Sequence, residues 1–247
     1  MDSHYDSYRY SEFWIGRDYE DKAERLALKK FFSKIDSKNY ILDIGGGYGR
    51  LANLYAPLFS KCLIVDPSET LLNEAKKNLK NYKNIDFKVT SSENLPKDNF
   101  NVALMVRVAH HIPEFSTTFK EVYAALKPRG YFILEFANKV HFLSRLKNLL
   151  KGNLGRANNL ETVDVRSNQA KKEGKIIFVN HHPRKVEALL QQSGFIIVDR
   201  LSVSNLRHPL IKKIVPISIL LLLENLFQKP LANLNFGPSI FLLCQKM

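Results

Sequence analysis

Apolar residues in the middle of the chain fall in short, nearly unbroken runs at 40–44, 62–65, 101–106 and 131–136, with a further strand-like segment at 85–89. Runs of this length without polar alternation are what strands buried on both faces look like. Between them, 50–58, 69–79 and 115–126 carry apolar positions at helical spacing, as in Leu71, Leu72, Ala75 and Leu79. Ser68 is a suitable N-cap for the second of these helices, with Glu69 in its first turn. Residues 127–130 read as a turn. Strand–helix alternation of this kind predicts a mostly parallel, doubly wound α/β sheet covered by helices on both faces.

The rhythm changes on either side. Ahead of the first strand, Tyr5, Tyr8, Tyr10, Phe13, Trp14 and Tyr19 crowd together, and a helix is expected from about 19 to 32. After 136 the residues to 175 are basic, rich in Asn and Gly, and nearly without period. A helix at 184–192, closed by Ser193-Gly194, and strands at 195–203 and 239–245 resume the pattern. The stretch 206–236 between those strands is largely apolar and reads as helical. We therefore expect one domain over 1–247. It would have an N-terminal arm or lid (1–39), a core (40–137), and insertions at 138–180 and 204–237.

Composition adds three constraints. Two cysteines, Cys62 and Cys244, both in apolar surroundings, give no disulfide framework and suit a reducing compartment. The N-terminal residues carry no apolar export segment, and the run 214–223 is broken by Pro216 and too short to span a bilayer, so a cytoplasmic protein is expected. The net charge is +13. Between Lys139 and Lys185 eleven basic residues face three acids, an excess of +8. A lysine-rich solvated surface, a nucleic acid, an anionic substrate and an anionic membrane all fit that excess. The basic stretch lacks the interleaved aromatics of single-strand stacking sites.

The chemistry gathers at the end of the first strand. Gly45, Gly47 and Gly49, with Gly46, follow a strand and open a helix, so backbone N–H groups are presented where no Cβ intervenes. Some twenty residues on, Asp66 ends the second strand, where an acid can accept both ribose hydroxyls. The dinucleotide fingerprint would place a glycine at 50, where Arg50 stands, and no Gly-Lys-Ser/Thr follows for a P-loop. Asp43, two residues before Gly45, would repel a pyrophosphate but tolerate a cationic amino-acid end.

The sequence Asp43-Ile44-Gly45-Gly46-Gly47-Tyr48-Gly49 resembles motif I of the class I S-adenosylmethionine-dependent methyltransferases, of the small-molecule type. Val65-Asp66-Pro67-Ser68 resembles the family's ribose-binding acidic loop. Ser91-Ser92-Glu93-Asn94-Leu95-Pro96 resembles the adenine-flanking stretch. Residues 106–111, Val-Arg-Val-Ala-His-His, resemble the segment that lines the cofactor and faces the substrate. Leu126-Lys127-Pro128-Arg129-Gly130 resembles the turn before the fifth strand.

The resemblance implies a seven-stranded Rossmann-like fold, S-adenosylmethionine as cofactor bound by the core 40–137, insertions at 138–180 and 204–237 that cap the substrate, and methyl transfer as activity. It implies cofactor contacts from Asp43, Gly45, Gly46, Gly47, Gly49, Asp66, Pro67, Ser68, Ser91, Ser92 and Glu93. The sequence departs from the family where Ser91-Ser92 replaces Asp-Ala, and at Arg129; a neutral Ser91 binds an adenine amino group more weakly than a carboxylate.

Arg107 is expected near the cofactor carboxylate, and Arg17 could fold over to the same group. His111, at the mouth of the sheet and titrating near neutrality, is the candidate base. His181 and His182 lack a Cys or spaced acid partner, so no metal site is expected. The acceptor is expected to be a small molecule, lipophilic or anionic. For the lipophilic case the lysines and apolar face of 212–223 would dock peripherally on an anionic membrane. Two alternatives stay open: a nucleic-acid methyltransferase, from the basic stretch, and a non-catalytic S-adenosylmethionine-binding protein, from the departures at Ser91 and Arg129.

Overall fold

A computed structural model of the chain describes residues 13–97, 99–153, 155 and 158–247. Tyr5, Tyr8 and Tyr10 lie outside the described residues. A seven-stranded sheet forms the centre, ordered β3-β2-β1-β4-β5-β9-β8. Its strands are β1 (Tyr40–Ile44), β2 (Lys61–Asp66), β3 (Ile85–Val89), β4 (Phe100–Met105), β5 (Leu126–Ala137), β8 (Phe195–Val203) and β9 (Ser239–Lys246). Only β9 runs antiparallel to its neighbours in this sheet.

Side chains alternate between two cores. Ile41, Ile64, Val102 and Ile133 point to one face. There they meet α1 (Asp18–Phe32), the short α2 (Ala52–Tyr55) and α3 (Glu69–Asn78). Leu42, Leu63, Val65 and Phe132 point to the other, against α4 (Ser116–Ala125) and α7 (Pro183–Gln192). The doubly wound expectation therefore holds, and Ser68 caps α3 by accepting a hydrogen bond from the Leu71 N–H.

Three local expectations are corrected. Only 52–55 of the anticipated helix 50–58 is α-helical, because the glycine turn and tight turns on either side take up the rest. Residues 127–130 belong to β5 as an irregular start, with a register shift against β4 between Phe100 and Val102. A Cβ at Gly130 would come within 2.9 Å of the Lys127 carbonyl, so this is where the strand crowds its own backbone.

The third correction concerns the stretch after 136, which is not irregular. It holds α5 (Phe142–Leu150), α6 (Asn168–Lys172), and a small antiparallel pair of β6 (Val163–Asp164) and β7 (Val179–Asn180). Asp164 organises part of it, accepting from Arg166 and pairing with Lys171. Short polar ladders of this kind leave little hydrophobic period to read.

Between β8 and β9 lie α8 (Pro209–Ile214) and α9 (Ile217–Ala232). Helix α9 buries an unusual face: Leu220, Glu224, Gln228 and Ala232, one turn apart, are all inside. The Glu224 carboxylate accepts from the Tyr19 hydroxyl (2.6 Å) and from the N–H groups of Ser204 (2.8 Å) and Asn205 (3.0 Å). It thereby clamps α1, α9 and the end of β8 together. Glu224→Ala leaves three donors without that acceptor. At ~1–3 kcal/mol per unsatisfied buried group, we expect a loss of at least about 3 kcal/mol, read as a lowered urea midpoint. An unchanged midpoint would show that the clamp carries no stability.

Candidate active site

The strand order reverses at β1, between β2 on one side and β4 on the other. The crevice beyond the C-terminal ends of two such strands is where open α/β sheets bind ligands. A cleft opens there, enclosing roughly 760 Å³ with the open solvent at its mouth.

The glycine turn forms the floor. The N–H groups of Gly45 and Gly46 donate to the Val65 carbonyl at 2.7 and 3.2 Å, tying the turn to β2. The glycines then divide by role. A Cβ on Gly45 would meet Val108 at 2.3 Å, and one on Gly46 would meet Ile64 at 2.6 Å. Those positions are glycine because the protein itself fills the space. At Gly47 (φ 53°) the nearest atoms to a Cβ are Asp66 Oδ2 and Leu71 Cδ1, both at 3.9 Å. Gly47 is the glycine whose bare face looks into the cleft.

Two carboxylates line the same space. Asp66 accepts from the Gly47 N–H at 3.0 Å and from the Ser68 N–H at 2.8 Å, which fixes its orientation at the end of β2. Asp43 is buried and accepts from the Tyr55 hydroxyl at 2.7 Å. Burial pushes its carboxyl up to about 6, against the opposing pull of Tyr55 and Arg50; the charge of Asp66 adds to the rise. An acid pair repels phosphate and suits a neutral sugar and a cationic amine. These residues fit the nucleoside and amino end of S-adenosylmethionine.

A third group closes one side. The fully buried Glu24 of α1 accepts from Arg107 Nε (2.6 Å) and from Arg50 Nη2 (2.6 Å). Trp14 lies under the Arg50 guanidinium, 3.7 Å from ring centroid to Cζ, with Arg107 at 5.5 Å. Arg107 has a positive φ of 63°, unusual for a residue with a side chain,. Its N–H donates to buried Glu135 at 2.9 Å, which holds that backbone in place. Arg107 is thus no surface ion pair but part of the cleft wall.

His111 also lines the cleft. It ends the 3₁₀ turn Ala109–His111, and its Nδ1 lies 2.7 Å from the Ile177 carbonyl. A carbonyl only accepts, so Nδ1 carries the proton and Nε2 the lone pair. Burial lowers the imidazole's affinity for a second proton, partly offset by the Ile177 bond, so the ring is neutral at pH 7. Next to it, buried His110 stacks on Phe178 at 4.4 Å.

The structure brings together Asp43, Gly45, Gly46, Gly47, Asp66, Pro67, Arg107 and His111 on one cleft. Several expected residues lie elsewhere. Gly49 packs against Leu79, and Ser68 is spent as the α3 cap. Ser91 is exposed and its Oγ accepts from the Glu93 N–H at 3.3 Å, so the 91–93 segment closes on itself rather than on the cleft. Arg17 lies over Phe13 at 3.8 Å, away from the cleft lining. His181 bonds the Ala109 carbonyl and His182 caps α7. Cys62 and Cys244 are buried in strands, and burial pushes the Cys62 thiol up to about 12, far from a nucleophile.

Sequence reasoning missed Trp14 as a cleft residue, Glu24, Tyr55 and the part played by Arg50. The one visible signal was Arg50 in a glycine's usual place.

Comparison with known proteins agrees with this geometry. Residues 42–134 match the methyltransferase domain family. The chain is 30% identical over 120 residues to the ubiquinone biosynthesis O-methyltransferase of Bradyrhizobium diazoefficiens, covering 46% of this chain and 47% of that protein. It is 33% identical over 129 residues to the ubiquinone/menaquinone biosynthesis C-methyltransferase UbiE of Rickettsia prowazekii, covering 46% and 51%. The matches therefore span about half the length of these curated relatives. Among solved structures, the N-methyltransferase NodS of Bradyrhizobium japonicum, in complex with S-adenosyl-L-homocysteine, superposes with a TM-score of 0.59 at 12% identity, over 94% of this chain and 91% of that one. Residues 42–134 thus match a methyltransferase domain, and the chain as a whole has the Rossmann-like fold of solved methyltransferases such as NodS.

The raised Asp43 pKa makes a prediction about stability. Between about 4 and about 6 the folded chain holds a proton on Asp43 that the unfolded chain releases. Stability therefore falls as pH rises through that window, by on the order of 3 kcal/mol from this group, and stays lower above it. Asp43→Asn keeps an acceptor for Tyr55 and should lose this part of the pH dependence. Thermal melts of both proteins from pH 4 to pH 8 would test it; parallel curves would refute it.

Proposed function

We propose that the chain binds S-adenosylmethionine in this cleft and transfers its methyl group to a small-molecule acceptor. The observation that carries the reading is the pairing of Gly47's bare face with the Asp66 carboxylate at the β1/β4 switch point. Bound there, S-adenosylmethionine would supply a methyl group already activated on a sulfonium.

The chain's own residues have to bind, orient and exclude water. Asp66 accepts the ribose hydroxyls, and Gly47 lets the ligand lie against the backbone. Above about pH 6 the Asp43 carboxylate is charged and favours the amino end of the ligand. Arg107 and Arg50, held by Glu24, put positive charge beside the ligand's carboxylate. Trp14 gives the 1–39 arm a place in the cleft wall, in keeping with a lid.

On the acceptor side, the segment 138–180 reaches the cleft through the Ile177 carbonyl on His111 and the Phe178 ring on His110. This supports its role as a substrate cap. Val106, Val108 and Trp14 give the cleft an apolar component, which favours a lipophilic acceptor. His111, neutral and with its lone pair on Nε2, takes the proton that an oxygen or nitrogen acceptor gives up. The relatives act, by their names, at oxygen and at carbon, and NodS at nitrogen; the acceptor atom is a property of the cap, not of the shared core.

The chain has one tryptophan, and it lines the cleft. Titration with S-adenosylmethionine should change Trp14 fluorescence, and Asp66→Ala should weaken the fitted affinity at least tenfold, the loss expected for one or two hydrogen bonds to a carboxylate. A wild-type chain without any fluorescence or calorimetric response would overturn the cofactor reading.

His111→Ala should leave that affinity intact and lower methyl-label uptake from a metabolite extract by about 10²–10⁴-fold. Label appearing in the RNA fraction would favour the nucleic-acid reading. Cofactor binding with no label transferred to any fraction would favour a non-catalytic role.

A further inference from the structure

Helix α5 has an apolar stripe that is left largely exposed. At about 100° per residue, Phe142, Leu143, Leu146, Leu149 and Leu150 fall within an arc of roughly 120°. All five are exposed, Leu149 at 58% and Leu150 at 80%, and no residue of the helix is buried. Arg145 and Lys147 lie about 40° outside the two edges of that arc, and Ser144 and Asn148 occupy the opposite face. Both basic residues are exposed, as is Lys151 just beyond the helix. No acidic residue occurs anywhere from 136 to 160.

The surface continues onto α9. The Phe142 ring stacks on Phe236 at 4.9 Å, and Arg145 Nη2 donates to the Leu234 carbonyl at 2.7 Å, just past the end of α9. Helix α9 turns Glu224 and Gln228 inward, while Leu222 and Leu226 stand 59% and 60% exposed. A helix that buries a Glu and a Gln while its leucines stand exposed presents an apolar patch of the kind that marks an interaction surface,. The preceding residues 200–223 again contain no acid, and Lys213 and Ile214 are exposed together.

We propose that α5, supported by the outer face of α9, is an interfacial helix that docks the protein on an anionic lipid bilayer. Its leucines enter the acyl boundary, and Arg145, Lys147 and Lys151 meet the headgroup charge. A second copy of this chain is the less suitable occupant. A two-fold contact through the same face would set these cations against their own copies with no acid to offset them. Among the described residues no helix is long and apolar enough to cross a membrane, so the contact is one of surface attachment. The sequence pointed instead to 212–223. There Lys212 is engaged by Glu20 at 2.8 Å, and Leu220 is buried, so that run is only partly available.

The test is co-sedimentation of the full chain with vesicles, without cofactor or acceptor, so that it is independent of the methyl-transfer reading. The vesicles are phosphatidylcholine alone, or with about one third phosphatidylglycerol. Binding should require the anionic lipid and weaken with salt. Leu146→Glu/Leu149→Glu should lower the partition coefficient at least tenfold. Lys147→Ala/Lys151→Ala, which leaves the stripe intact, should lower it roughly fivefold per lysine, the equivalent of about 1 kcal/mol each. Circular dichroism and the Trp14 fluorescence signal control for folding, and the lysine variant remains informative if the glutamates disturb the helix. Equal partition into both vesicle types, or a stripe variant that binds as the wild type does, would overturn the proposal. So would a concentration-dependent dimer, seen by light scattering and abolished by the stripe variant, in a chain that ignores vesicles.

Discussion

A carboxylate with no exposed surface has to be neutralised where it stands, and Glu24 is such a group. Two guanidiniums do it, Arg50 from the glycine turn and Arg107 from the end of β4. Removing one partner of a buried pair costs ~3–5 kcal/mol, so these contacts fix three elements at once. Helix α1 is anchored over the sheet, the turn is held at its C-terminal end, and Arg107 keeps a backbone conformation that its side chain disfavours. Trp14 then lies against the two cations, so the segment ahead of α1 arrives at the cleft. Cleft shape and N-terminal placement are consequences of one charge-neutralisation problem.

The sheet and its covering helices were legible because their signals are local and repetitive. Continuous apolar strands at 40–44 and 101–106 and the Ser68 cap appear in the structure within a residue or so. The acidic and glycine residues of the cleft were legible from motif spacing and the family resemblance: Asp43, Gly47 and Asp66 lie at the ends of the first two strands, which pair in parallel. What escaped depends on contacts between distant residues. Nothing near Glu24 in the sequence shows that Arg107, 83 residues on, will lie 2.6 Å away. Ser91, whose neighbours resemble a binding loop, is exposed and accepts the Glu93 N–H in a local turn bond.

The segment after β5 was the least legible, because its structure rests on backbone and ionic contacts. The short β6/β7 pair, the Asp164–Arg166 bond and the Lys139 ammonium on the carbonyls of Asn159 and Glu161 produce no hydrophobic period. Much of the positive charge there is consumed locally. Arg166, Lys171 and Lys175 pair within the segment, and Lys185 reaches Glu114. An excess of cations in the sequence is therefore a poor measure of the field the surface presents. The residues that keep their charge outward, Lys147 and Lys151 among them, lie beside exposed leucines.

That distribution bears on how a lipophilic acceptor would be met. The cleft lining holds the Asp43 and Asp66 carboxylates together with the apolar Trp14, Val106 and Val108, so under the proposed function a polar cofactor and an apolar partner share one cleft. The cofactor side is built from β1, β2 and α3, which are rigid and deeply packed. The segment 138–180, proposed as the partner side, reaches the site through one carbonyl on His111 and one ring on His110. The same segment bears α5. A helix resting in a lipid surface would hold the mouth of the cleft near the phase in which a lipophilic molecule is concentrated. Attachment and acceptor choice would then be set by one insertion, leaving the cofactor half free to stay as it is in relatives that methylate at oxygen, carbon or nitrogen.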